Sequence, residues 1–176
     1  MNVKRLTLSA VLAAVAMGLS YVERFIPFQL LIPLPGVKLG LANIVTMMAL
    51  YFVGWKESLA ILITRCVLGA VFGGSITSLC MSLAGGVFSL FVMMGAKHLR
   101  CLSVYGVSIL GAAAHNLGQV IAASLLLYSR FAFGYLPFLL LTAIVSGSLT
   151  GLIAAATFRP LMASASMLPK KSVLRR

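Results

Sequence analysis

Residues 66–96 read CVLGAVFGGSITSLCMSLAGGVFSLFVMMGA, thirty-one positions without a charge. A helix crosses the hydrocarbon core of a bilayer in about 20 mostly apolar residues, within a range of about 17–25. The stretch is therefore too long for one crossing and too apolar for water. Gly73-Gly74-Ser75 supplies the break, because paired glycines punctuate a helical pattern. One helix ends there and the next runs from about Ile76 to Ala96. Working towards the N-terminus, Ser58 to Phe72 is interrupted only by Arg65. Leu39 to Trp55 and Leu6 to Val22 carry no charge, and each is 17 residues long. Towards the C-terminus, Leu102 to Ser129 and Phe131 to Phe158 are each long enough to tilt or to carry a loop. The expected fold is an all-α integral membrane bundle of six transmembrane helices. Residues 1–160 form the membrane domain and residues 161–176 a basic tail.

Composition agrees. Of the 176 residues, 61% are hydrophobic and 9% charged, where a soluble domain carries about 25%. Fourteen Lys and Arg face two acids, Glu23 and Glu57, and the net charge is +12. A basic nucleic-acid binder reaches that charge, but not a mean hydropathy of +1.11. Nucleic acid is thus excluded as a partner, and membrane lipid is expected. With no Asp and two Glu, paired-carboxylate catalysis and an Asp-held metal are excluded too. The expectation is no enzyme and no cofactor.

Short loops rich in Lys and Arg stay in the cytoplasm. With six spans, one side holds Lys4, Arg5, Lys56, Lys97, Arg100, Arg159, Lys170, Lys171, Arg175 and Arg176. The other holds Arg24, Lys38 and Arg130, and Arg65 lies within the membrane. Both termini are expected in the cytoplasm. The first segment has a basic start and an Ala14-Val15-Ala16 site, as a signal peptide does. Its apolar run continues to Val22, so it is read as a retained span. The tail suits anionic headgroups. Cys66, Cys80 and Cys101 have no metal-like spacing and read as small apolar packing groups.

Four features are candidates for function. Ala10, Ala14 and Gly18 repeat every four residues, a stripe that lets another helix approach closely, within this bundle or from a separate subunit. Residues 23–38, from Glu23 through Phe28 to Lys38, carry Pro27, Pro33 and Pro35 yet are as apolar as the spans. Prolines forbid a continuous helix, so the segment is a lid over a cavity or an interfacial loop. Arg65, deep in its span, needs a partner: Glu23, helix-end carbonyls or an anionic ligand. His115 and Gln119, four apart, share a helix face with Asn116 beside them, and Gly111 and Ala122 leave room. Asn43 and Thr46 complete a candidate polar pocket; an interhelical hydrogen bond is the other reading of His115.

Several runs together resemble the Gx transporter family, whose members are often labelled heptaprenyl diphosphate synthase component I. They are Pro35-Gly-Val-Lys-Leu-Gly-Leu-Ala-Asn43-Ile-Val-Thr46, Arg65 to Gly74, Ser82-Leu-Ala-Gly-Gly86, and Ser108-Ile-Leu-Gly-Ala-Ala-Ala-His115-Asn116-Leu-Gly-Gln119. That family is similar to the substrate-binding S components of energy-coupling factor transporters. The resemblance implies six helices, cytoplasmic termini and a first long loop capping an outward-facing ligand site. It also implies that Ala10 and Ala14 dock onto a transmembrane coupling subunit served by ATPase subunits. On that basis the chain is expected to bind a small, partly apolar substrate in a bacterial inner membrane. Having no phosphate-binding Gly-Lys-Ser/Thr loop, it would draw energy from the separate module. The synthase label implies a different role, as an accessory subunit. Prenyl synthases hold Mg²⁺ and diphosphate through Asp-rich motifs, and a chain without Asp cannot be the catalytic partner.

Overall fold

The computed structural model describes residues 3–23, 25, 41–72, 75–99 and 101–163, with the backbone alone at residues 4 and 158–163. The described chain is all helix: α1 Val3–Glu23, α2 Asn43–Phe52, α3 Trp55–Val71, α4 Ile76–His98, α5 Val104–Leu126 and α6 Leu136–Ala163. A 3-10 turn, Arg130–Tyr135, leads into α6. Four stretches are long and apolar enough to cross a bilayer: Arg5–Glu23, Ile76–His98, Val104–Leu126 and Arg130–Thr157. The protein is a membrane protein by that measure. Many of its apolar side chains point outward, with Val71, Phe91, Leu125, Leu141, Val145 and Leu152 all more than half exposed.

The second helix departs from expectation. In place of Leu39–Trp55 there are ten residues, about 15 Å at 1.5 Å per residue, half the thickness of the hydrocarbon core. Its end is set by Gly54, whose φ of 142° is a conformation that favours glycine. Trp55 then opens α3, and Ser58 ties the junction by donating from Oγ to the Gly54 carbonyl at 2.7 Å. Serines mark other boundaries. Ser75 accepts from the Ser78 N–H at 3.1 Å at the start of α4, and Ser103 accepts from the Gly106 N–H at 3.3 Å at the start of α5. Each satisfies an N–H that the first helical turn leaves open. The last long helix starts at Leu136, after the 3-10 turn, and continues to Ala163. The break at Gly73-Gly74 and the tail beyond Ala163 lie outside the described residues.

Neighbouring helices follow the chain: α1 packs on α3, α3 on α4, α4 on α5 and α5 on α6. The short α2 sits between them and touches all five other helices. Its depth follows from two hydrogen bonds. Near its start, Asn43 Nδ2 donates to Ser89 Oγ at 2.7 Å, midway along α4. Near its end, Lys97 Nζ, in the last turn of α4, donates to the Leu50 carbonyl at 2.9 Å. So α2 runs from the middle of the bundle to one end. Lys97 also stands 4.6 Å from the centre of the Tyr51 ring, a cation–π contact.

Glycines allow the closest approaches, since lipid supplies no hydrophobic drive between helices. A Cβ on Gly118 would lie 2.8 Å from the Ala84 carbonyl oxygen and from Gly85 Cα, and one on Gly86 would strike Leu62 of α3. Gly85 and Gly86 thus serve packing. Gly111 leaves no room, because the Met93 side chain fills the space beside it. Cys66 is buried, but Cys101 is exposed, so only the former fits the reading of a small packed apolar group.

Candidate functional site

The antiparallel pairing of α3 and α4 puts Arg65 opposite Ser82. Together with Ser20 of α1 they line a pocket whose other walls are Cys66, Gly69, Ala70, Ser78 and Leu79. Its water-sized free space is about 20 Å³, room for about one or two waters, and it opens at its mouth. Arg65 is 6% exposed. Nη1 donates to Ser20 Oγ at 3.5 Å, a long bond, while Nε and Nη2 are buried without a hydrogen-bond partner among the described residues. Leaving a buried charge uncompensated costs several kcal/mol, so this arrangement needs a reason beyond packing. Glu23, one turn beyond Ser20, is also buried but does not line the pocket.

A second polar group lies one turn further along α4. Gly85 is so close to α5 that an added Cβ would stand 2.8 Å from the His115 carbonyl oxygen and 2.9 Å from Gln119 Cγ. Both side chains are buried, at 3% and 0% exposure. The Gln119 amide has neither its oxygen nor its nitrogen bonded among the described residues. Deeper still, Asn43 reaches Ser89, and Ser89 Oγ donates to the Gly111 carbonyl at 2.7 Å. Asn43 Oδ1 and Thr46 Oγ1 are buried and unbonded. Each such orphan costs about 1–3 kcal/mol. Helix α4 therefore carries a polar and small face, Ser78, Ser82, Gly85 and Ser89, at helical spacing.

The residues named from the sequence divide. Arg65 faces α4 from α3, His115 and Gln119 face it from α5, and Asn43 reaches it from α2. Asn116 turns away, since successive helical positions point about 100° apart. Its Nδ2 donates to the Leu139 carbonyl of α6 at 2.6 Å. Ala10, Ala14 and Gly18 face outward, and a Cβ on Gly18 would meet nothing within 4 Å. The inner face of α1 is formed instead by Leu12 and Ala16, packed on Val45, Ala49 and Ile61. The lid residues Phe28, Pro33 and Pro35 lie outside the described residues. Ser20, Ser78, Ser82 and Ser89 were missed as site residues. The spacing of the α4 serines was the available signal.

Chemically, the described lining offers hydrogen-bond donors and hydroxyls, and no carboxylate. No group of three His, Cys, Asp or Glu that could hold a metal ion occurs among the described residues. A family model described as heptaprenyl diphosphate synthase component I matches residues 12–157. The chain belongs to that family. The match runs from the middle of α1 to near the end of α6, so it takes in α2 to α5 whole and every wall of the Arg65 pocket. Comparison with curated proteins and with solved structures finds no match to this component I chain.

Proposed function

We propose that this component I protein is a non-catalytic, membrane-embedded substrate-binding subunit of a bacterial small-molecule uptake system, energised by a separate ATPase module. The observation that carries the reading is the set of buried, unbonded donors and acceptors on Arg65, Gln119, Thr46 and Asn43 inside an apolar bundle. Polar groups at membrane depth are expensive, and those left without partners mark ligand or ion pathways. The reading counts six crossings, α2 contributing the shortest, on a fold like that of energy-coupling factor S components. Both termini lie in the cytoplasm of a bacterial inner membrane. The outward stripe of Ala10, Ala14 and Gly18 is the face for a transmembrane coupling subunit, and residues 23–38 cap the ligand. Affinity-tagged protein extracted in mild detergent should bring down a membrane subunit and an ATPase. Replacing Ala14 and Gly18 with Leu should release both. Well-folded protein that never carries such partners would refute the reading.

The family description favours a second reading, an accessory membrane subunit that presents a lipid substrate to a soluble prenyl diphosphate synthase. The cytoplasmic bases would then bind the synthase or a diphosphate headgroup. Lys97 is engaged with Leu50 and Tyr51, so Arg100, Lys170 and Lys171 are the residues to test. Their joint replacement by Gln abolishes membrane-associated synthase activity under this reading and leaves it unchanged under the first.

A further inference from the structure

The Arg65 guanidinium has one corner engaged and one whole edge empty. Nη1 is taken by Ser20, whereas Nε and Nη2 have no hydrogen-bond partner among the described residues. These last two nitrogens lie side by side, because the Nε–H bond points away from Cδ, towards Nη2. They form the pair of parallel donors that grips two oxygens of a carboxylate or phosphate.

The surroundings match an anion. Ser20, Ser78 and Ser82 bring three hydroxyls to the same pocket, and no acidic side chain lines it. Ser78 is the third residue of the 23-residue α4, so the pocket also borders a helix N-terminus, where aligned peptide dipoles favour negative charge. The pocket is open at its mouth and holds about 20 Å³ of water-sized space, room for the oxygens of a carboxylate or phosphate head with the rest of the molecule outside.

We infer that the Nε–Nη2 edge of Arg65 is the receptor for a forked oxyanion, a carboxylate or phosphate, seated among Ser20, Ser78 and Ser82. Calling that anion the head of a transported substrate rests on the uptake reading; the binding itself does not. A free solute and an anionic lipid headgroup both carry this chemistry, and a titration separates them.

The delipidated full-length protein in neutral detergent is titrated with hexanoate, inorganic phosphate and dihexanoyl phosphatidylglycerol. Chloride holds the ionic strength constant, and the thermal unfolding midpoint is followed. The expected result is saturable stabilisation by at least one of the three. Arg65→Gln should weaken it about tenfold or more, the scale of one charge-assisted hydrogen bond. Arg65→Lys, which keeps the charge but loses the fork, should fall between. Ser82→Ala keeps the arginine and should weaken binding by a few fold, so the test survives if Arg65→Gln fails to fold. Response to the free anions identifies a solute site, and response to the lipid alone identifies a headgroup site. No stabilisation by any of the three, or equal stabilisation of wild type and Arg65→Gln, overturns the inference. Failure to find an ATPase partner would refute the uptake reading and leave this titration standing.

Discussion

The two flanks of α5 are both polar, yet they treat polarity in opposite ways. Against α6, hydrogen bonds are closed. Asn116 donates to the Leu139 carbonyl, Ser108 bonds Thr150, and Thr150 Oγ1 donates to the Gly147 carbonyl at 2.9 Å. Gly147 brings the helices together, since a Cβ there would lie 2.6 Å from Ile109 Cα. Only the Ser146 hydroxyl is left buried and unbonded among the α6 residues described. Towards α4, the complete side-chain amide of Gln119 is left open, and across α4 from α5 so is the guanidinium edge of Arg65 on α3. Polar groups on the first flank hold helices together. Those on the second are costly to the resting protein, and the proposed ligand would give them partners.

Several substitutions would break or sharpen that contrast. The largest effect belongs to the crossing that both flanks depend on. Gly118→Leu drives a side chain into the α4 backbone and should cost about 3 kcal/mol or more. It would show as loss of monodisperse protein on size exclusion. Next, Arg65→Met should raise the stability of the ligand-free protein by about 2 kcal/mol, because it removes an unmatched buried charge. A fall in the unfolding midpoint would mean that Arg65 is a structural residue. On the closed flank, Asn116→Ala should lower stability by about 1–2 kcal/mol and leave anion binding unchanged. Gln119→Leu, of similar volume, should raise stability by about 1 kcal/mol, the opposite sign for a polar-to-apolar change on the same helix. The smallest effect is Ser108→Ala, a loss of about 0.6 kcal/mol, typical of one interhelical hydrogen bond in a membrane.

How far the sequence reveals this depends on the residue. The long uncharged runs of α4 and α5 locate those helices to within a few residues, because length and hydropathy decide a span. The shortness of α2 was not visible. Residues 39–55 carry no charge, and the end of that helix depends on the backbone angle of Gly54. Arg65 stood out as the one intramembrane base, and the shared face of His115 and Gln119 followed from helical geometry. Adjacency in the sequence groups Asn116 with them, although neighbouring helical residues face different partners. Ser89, and Ser82 as anything more than part of a motif, are not marked as site residues by the sequence, because small polar residues are common at helix contacts in membranes. What singles them out is the arginine and asparagine that other helices bring beside them.

The account rests on the open polar groups around Arg65 being a binding site. Native mass spectrometry of the purified full-length protein tests that most directly, read against Arg65→Gln of matching size-exclusion profile. A discrete small-molecule adduct on the wild type that disappears from the variant is the predicted result. Wild-type protein that is bare under the mildest conditions, or an identical adduct on both, would contradict it.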